Sequence, residues 1–284
     1  MNPGNSNLLK EAITAMIEKE MSAYCCRDYL RGSNVEVTAD DRRQLVDWCF
    51  ALVDRCSFQR ETVAIATNLL DRFLSVPSKF ASIALQDQRE LQLLAMTSLY
   101  IAIKTNERVA FSSQLLSAAS HGGYTIEEIE DTEKLILYGL GWRINGPTPL
   151  QMALHILSLM QVGKIILSES LTDLLNEVQY QTEVVAKDYN MSIQRSSTIA
   201  LIVLFKTFQQ FPHDTRIQLF TSLLTMLQSF DFDSTCKRLI ASCVLESEVE
   251  FEQLSTSPVA VPLLNDSNVQ RFLETVRISI QKEQ

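Results

Sequence analysis

Residues 90–104 read Glu90-Leu91-Gln92-Leu93-Leu94-Ala95-Met96-Thr97-Ser98-Leu99-Tyr100-Ile101-Ala102-Ile103-Lys104, or ELQLLAMTSLYIAIK. Wound at about 3.6 residues per turn, this stretch makes a helix of about four turns with apolar or small residues almost all round. A helix without a polar face is buried rather than amphipathic. Ala95, Thr97, Ser98 and Ala102 are small, so neighbouring helices can approach closely. The run then ends in a charge, Lys104, followed by Thr105, Asn106 and Glu107. A chain built around such a helix is all-α, with shorter helices packed on every side of it.

The rest of the chain agrees with that reading. Its 284 residues are enough for two domains. Hydrophobic residues make up 46% and charged residues 21%, a balance suited to globular cores. Glycine (8) and proline (7) are scarce, which favours helices over turn-rich β structure. The spacing predicts helices over 8–30, 38–56, 61–74, 112–119 and 126–140, with a loop through 79–85 before the central helix. Thr38 and Thr125 stand as N-caps, with acids after them that suit the helix dipole. Gly141 stands at the end of the last of these helices. Asn145-Gly146-Pro147-Thr148-Pro149 is the clearest boundary. Beyond it five more helices are predicted, near 150–160, 168–188, 196–210, 214–229 and 234–246. The expected organisation is therefore an N-terminal helix and linker (1–37), a first five-helix domain (38–146), a second (147–248) and a mobile tail (249–284) ending in a short helix.

Charge and composition exclude several functions. The net charge is -9 and no basic run exceeds two residues, whereas nucleic-acid binding needs a basic face. No apolar run approaches the roughly 20 residues of a membrane span, and no signal-peptide core appears at the start. The expectation is an intracellular protein without membrane or nucleic-acid partners. The six cysteines (Cys25, Cys26, Cys49, Cys56, Cys236, Cys243) form no CxxC pair and read as reduced, mostly apolar-face residues. The three histidines, His121, His155 and His213, lie far apart. No metal, glycine-rich phosphate loop or nucleophile motif is present, so neither cofactor nor catalysis is expected.

What remains is charge set among apolar residues. Arg42 lies beside Leu45, Val46 and Trp48; Asp71 follows an apolar run; Lys104 ends the central helix; Glu133 precedes Leu135-Ile136-Leu137. Buried charges are tolerated when paired and hydrogen-bonded. Four such charges suggest Arg42 with Asp71, and Lys104 with either Glu133 or a partner molecule.

These same positions carry a resemblance. In order and nearly in register, Arg42, LVDW, LLDRFLS, LQLLA, SLYIAIK and TEKLILYGLGW resemble the cyclin box, and the wording ATNLLDRFLS and LGWRINGPTP is most similar to D-type cyclins. Arg42, Asp71, Leu93, Lys104 and Glu133 fall at five positions typical of that box. The likeness is strong over 41–150; beyond, it rests on helix pattern and on the position after the Pro-Thr-Pro linker. It implies two tandem cyclin-box domains and a non-catalytic regulatory subunit that binds and activates a cyclin-dependent kinase, controlling the cell cycle from nucleus and cytoplasm. Activation in that family turns a kinase helix inward so that its glutamate meets the phosphate-orienting lysine.

By the same resemblance Lys104 and Glu133 would bond kinase backbone, with Leu137, Trp142 and Ile144 supplying apolar contact. Tryptophan is also enriched among interface hot spots, although Trp142 could instead plug the space between domains. Arg42 and Asp71 would form an internal ion pair. Leu45, Trp48 and Gln92 match a substrate-docking patch that would take kinase substrates or inhibitors. There Asp41 and Gln44 replace apolar residues and Ala51 replaces an acid, which weakens the case for basic-leucine docking. No Leu-x-Cys-x-Glu motif is present. Arg27-Asp28-Tyr29-Leu30 fits a destruction-box pattern on a predicted helix, and Ser257-Pro258 is a proline-directed phosphosite candidate in the tail. The alternative reading is a cyclin-fold transcription adaptor that binds polymerase or general factors.

Overall fold

The computed structural model describes residues 3–32, 34–227 and 229–230. Its α-helices are α1 (Pro3–Ser22), α2 (Ala39–Arg55), α3 (Glu61–Ser75), α4 (Lys79–Ala84), α5 (Gln88–Asn106), α6 (Ser113–Ala119) and α7 (Ile126–Gly139). After the proline-rich boundary come α8 (Pro149–Leu159), α9 (Ser168–Ala186), α10 (Tyr189–Ser192), α11 (Ser196–Phe208) and α12 (His213–Leu227), with a 3-10 turn at Val162–Lys164. No strand occurs among the described residues. The helix predicted over 234–246, the tail and its short helix, Ser257, Cys236 and Cys243 lie outside them.

The chain divides into two compact units. One holds residues 19–148 together with 183–195. The other holds, of the described residues, 3–18, 149–182, 196–227 and 229–230. In the first, α5 touches α2, α3, α4, α6 and α7. Three apolar clusters explain why it needs no polar face. Leu91, Leu94, Ala95 and Ile101 meet α3, α4 and α7 through Leu70, Phe73, Ala84 and Ile136. Leu99, Ala102 and Ile103 meet α2 and α3 through Val46, Phe50 and Val63. Leu93, Met96 and Tyr100 meet Leu116 of α6, Tyr124 and Ile129 of α7. Burying one such side chain contributes about 1.5–3 kcal/mol. In the other unit α11 has the same character. Residues 197–201, 203–205 and 207–208 are all buried, and α8 and α12 pack against it.

Several boundaries differ from the sequence expectation. The first helix stops at Ser22 rather than near Leu30, because the next residues are claimed by tertiary partners. Tyr24 stacks on Arg72, the Arg27 N–H donates to Ser75 Oγ at 2.8 Å, and the Tyr29 hydroxyl donates to Asp71. The Arg27–Leu30 stretch is thus not helical, and Tyr29 within it is buried. The expected loop over 79–85 contains α4, whose N-terminus Ser78 caps by accepting from the Ala81 N–H. The helix expected to run to Asp188 ends at Ala186, where Asp188 caps the short α10. Cys49 lies in the α2–α3–α5 cluster, where burial pushes its thiol up to about 12. Cys26 is raised too, chiefly by burial.

Helix α7 begins with a capping box. The Thr125 hydroxyl accepts from the Glu128 N–H, and the Glu128 carboxylate accepts from the Thr125 N–H at 2.8 Å. Arg89 adds a 2.7 Å ion pair to the same carboxylate. The Thr125 backbone bond and then Arg89 hold the Glu128 pKa below its ordinary value. Because the folded value is the lower one, the box stabilises the helix above the ordinary glutamate pKa, and the support is lost as pH falls through the folded value. Hydrogen exchange at the Thr125 amide should therefore accelerate below the ordinary glutamate range, relative to amides in mid-α7. Unchanged relative protection across that range would contradict this.

Candidate partner-binding site

Helices α2 and α3 meet through a buried network. Arg42 is 2% exposed and donates from Nε and Nη2 to the two oxygens of Asp71, at 2.8 and 2.7 Å. Such a two-pronged bond suits the planar guanidinium. The Tyr29 hydroxyl donates to Asp71 Oδ1 at 2.7 Å, and Arg42 Nη1 donates to the Ala186 carbonyl at 2.9 Å. Tyr189 packs edge-on against Tyr29, its hydroxyl donating to Asp28 and accepting from the Leu30 N–H. Burial opposes the Arg42 charge, but Asp71 outweighs it and keeps the arginine pKa above its usual value. Burial likewise pushes the Tyr29 hydroxyl up, so it stays protonated and donating.

At the far end of α5 the second pair is exposed. Lys104 Nζ donates to Glu133 Oε1 at 2.7 Å, with side-chain exposures of 42% and 15%. The ammonium also lies 4.8 Å from the Tyr100 ring centroid. Partial burial works against the lysine charge, but the Glu133 hydrogen bond and charge offset it, raising its pKa. Of the two partners the sequence left open for Lys104, Glu133 is bonded in the isolated chain.

The turn after α7 carries the aromatic residues. Gly141 and Trp142 both take left-handed backbone, with φ of 58° and 61°. For a bulky residue that conformation costs about 1–2 kcal/mol. The Trp142 N–H donates back to the Leu137 carbonyl at 2.8 Å, which fixes the turn. The indole is 60% exposed rather than plugged into a core, and stacks edge-on with Tyr138, which is 72% exposed. Leu137 is buried, and Ile144 packs half-buried against the same cluster. Sequence reasoning missed Tyr138. It stands four residues before Trp142, off the apolar stripe of Ile129 and Ile136, and that spacing could have found it. Lys104, Glu133 and this aromatic turn are all carried by α5, α7 and the turn that follows α7.

The α2–α5 surface is a different place. Leu45 and Trp48 are half-buried against the clusters below them, and exposed Gln92 accepts from the Tyr124 hydroxyl at 3.1 Å. Asp41 is engaged locally, bonding Thr38 in a capping box and accepting from Gln88 Nε2 at 2.9 Å. Gln44 donates to Asp40. Ala51 is exposed. Among the described residues no cluster of His, Cys, Asp and Glu suits a metal, and no helix is long and apolar enough to cross a membrane.

Residues 11–145, which contain both charge pairs and the aromatic turn, match the family model of the cyclin N-terminal domain. Residues 11–145 thus carry a cyclin N-terminal domain. It is 36% identical over 122 residues to the G2/mitotic-specific cyclin-2 of Antirrhinum majus, covering 43% of this chain and 26% of that one. It is 27% identical over 158 residues to the human G1/S-specific cyclin-D1, covering 55% and 51%. The matched stretches span about a quarter to a half of those cyclins. A viral cyclin structure from herpesvirus saimiri superposes with a TM-score of 0.51, covering 95% of this chain and 97% of that one at 15% identity. That likeness concerns the fold alone, an all-α cyclin-box fold. The relatives carry both G1/S-specific and G2/mitotic-specific names.

Proposed function

We propose that this chain is a cell-cycle cyclin that binds a cyclin-dependent kinase and activates it, performing no chemistry itself. The observation that carries the reading is that α5, α7 and the turn after α7 carry both the Lys104–Glu133 pair and the exposed Tyr138–Trp142 stack. A charged pair offers backbone-directed hydrogen bonds, and a stacked aromatic pair offers apolar area at low entropic cost. Such a surface stabilises whichever kinase conformation fits it, and differential binding of that kind is all that activation requires. Leu137 and Ile144 act from beneath, holding the turn that presents Trp142. Nucleus and cytoplasm, where cell-cycle kinases meet their substrates, are the proposed locations. The α2–α5 patch with Leu45, Trp48 and Gln92 is proposed as a weak substrate or inhibitor dock, because Asp41 and Gln44 make it polar.

The test is co-precipitation and kinase assay against a panel of cyclin-dependent kinases. Wild type is expected to capture and activate at least one. Lys104→Ala with Glu133→Ala should lose at least about tenfold in affinity, near 1.4 kcal/mol. Trp142→Gly should lose capture as well while folding at least as stably, since glycine relieves the left-handed backbone. Capture undiminished in both variants would move the partner surface elsewhere; no capture by wild type would remove the kinase reading.

A further inference from the structure

A lysine at the end of a helix carries its charge on a long flexible stem and ordinarily wanders. Lys104 does not. One turn earlier on α5, Tyr100 lies on the same side of the helix, since residues four apart are neighbours there. The Lys104 ammonium sits over the Tyr100 ring, 4.8 Å from its centroid. From α7 the Glu133 carboxylate accepts a hydrogen bond from Nζ at 2.7 Å. The lysine is thus held from two directions, by a ring on its own helix and by a carboxylate on another. Its side chain still stays 42% exposed.

The ring beneath it is clamped. Tyr100 is 6% exposed and belongs to the cluster with Leu93, Met96, Leu116 and Ile129. Phe111, between α5 and α6, leans on it at 52° with centroids 6.3 Å apart. Phe58, between α2 and α3, meets Phe111 edge-on at 5.9 Å. Three rings therefore run from the α2–α3 connection to the lysine. An aliphatic side chain could fill the same core, but only an aromatic face attracts an ammonium.

We propose that Tyr100 is a positioning residue for the partner surface: its clamped ring is the platform that holds the Lys104 ammonium beside Glu133 before any partner arrives. An ammonium has three donors, and Glu133 takes one, which leaves donors for a partner. Ordering the side chain in advance removes part of the entropic cost that binding otherwise meets. The inference rests on the kinase reading only for the identity of the partner.

The test is a double-mutant cycle on the full chain. Capture by the kinase that wild type binds most tightly is measured for Tyr100→Leu, Lys104→Met and the two together, each checked for folding by circular dichroism. Tyr100→Leu is expected to weaken capture about three- to fivefold, the size of an exposed cation–π contact. In the Lys104→Met background the same change should add nothing, whereas a merely structural tyrosine would cost the same in both. Tyr100→Phe keeps the ring and should stay within about twofold of wild type. A partner-free arm follows the Lys104 methylene resonances of the isolated chain with isotope-labelled lysine, assigned by their loss in Lys104→Met. The ring face should hold them upfield of the other lysines. Tyr100→Phe should keep that displacement and Tyr100→Leu abolish it. Wild type supplies the first reading, so the platform is tested even where Tyr100→Leu fails to fold. Lys104 resonances at ordinary lysine positions, or unmoved by Tyr100→Leu, overturn the proposal. So does a loss of capture from Tyr100→Leu that is equal with and without Lys104, or equal to that from Tyr100→Phe. If wild type captures no kinase, the kinase reading falls and the resonances alone decide the platform.

Discussion

Replacing Asp71 by alanine is expected to lower the unfolding free energy by about 3–5 kcal/mol, the range for removing one partner of a buried ion pair. The cause is less the loss of attraction than what is left behind. Arg42, 2% exposed, would keep its charge and lose both charge-assisted bonds, and the Tyr29 hydroxyl would lose its acceptor. Urea unfolding followed by circular dichroism measures the change. Arg42→Met combined with Asp71→Leu should recover much of the loss, since no orphaned charge remains. A fall under about 1 kcal/mol for the single variant, the value of a solvent-exposed pair, would mean that water reaches the network.

The second large effect is expected on α5. Leu99 is fully buried in the cluster shared with α2 and α3, and Leu99→Ala should cost about 2–5 kcal/mol through lost burial and the cavity left. Its neighbour makes the control. Ser98 is also buried, and its hydroxyl has no hydrogen-bond partner among the described residues. Removing an unsatisfied buried hydroxyl relieves a desolvation cost, so Ser98→Ala should leave stability unchanged or raise it. Destabilisation by Ser98→Ala as large as that by Leu99→Ala would mean that the buried hydroxyl is satisfied in the fold and contributes to it.

How the central helix works was legible because its pattern is local. Residues 91 and 93–103 contain almost nothing that water would hold, and the three clusters around α5 follow from that run. The exposed turn at Trp142 was legible in part. Gly141 marks the helix end, but no local signal says that the residue after it will take φ of 61° and point into solvent. The end of α1 was not legible. Residues 23–30 have a helix-compatible composition, and only distant partners in α3 and α10 draw them out of the helix. The same holds for α10, four residues long and tied by Tyr189 to residues about 160 positions earlier. Arg72 shows the limit most plainly: in sequence it is one of two charges in the Asp-Arg pair, and only packing gives Asp71 its donors while leaving the Arg72 Nε without an acceptor among the described residues.

The involvement of residues 183–195 in the first unit has a consequence for synthesis of the chain. The Arg42 side chain spends one donor on the carbonyl of Ala186, and Tyr189 closes over Tyr29 and Asp28. A ribosome adding about 5–20 residues per second delivers those partners seconds after Thr148. Until then α2 through α7 are complete as helices while their arginine lacks one of its acceptors. The unit thus finishes folding only when much of its neighbour has already been translated. A nascent chain paused shortly after Thr148 would remain open to a chaperone at the face that residues 183–195 later cover.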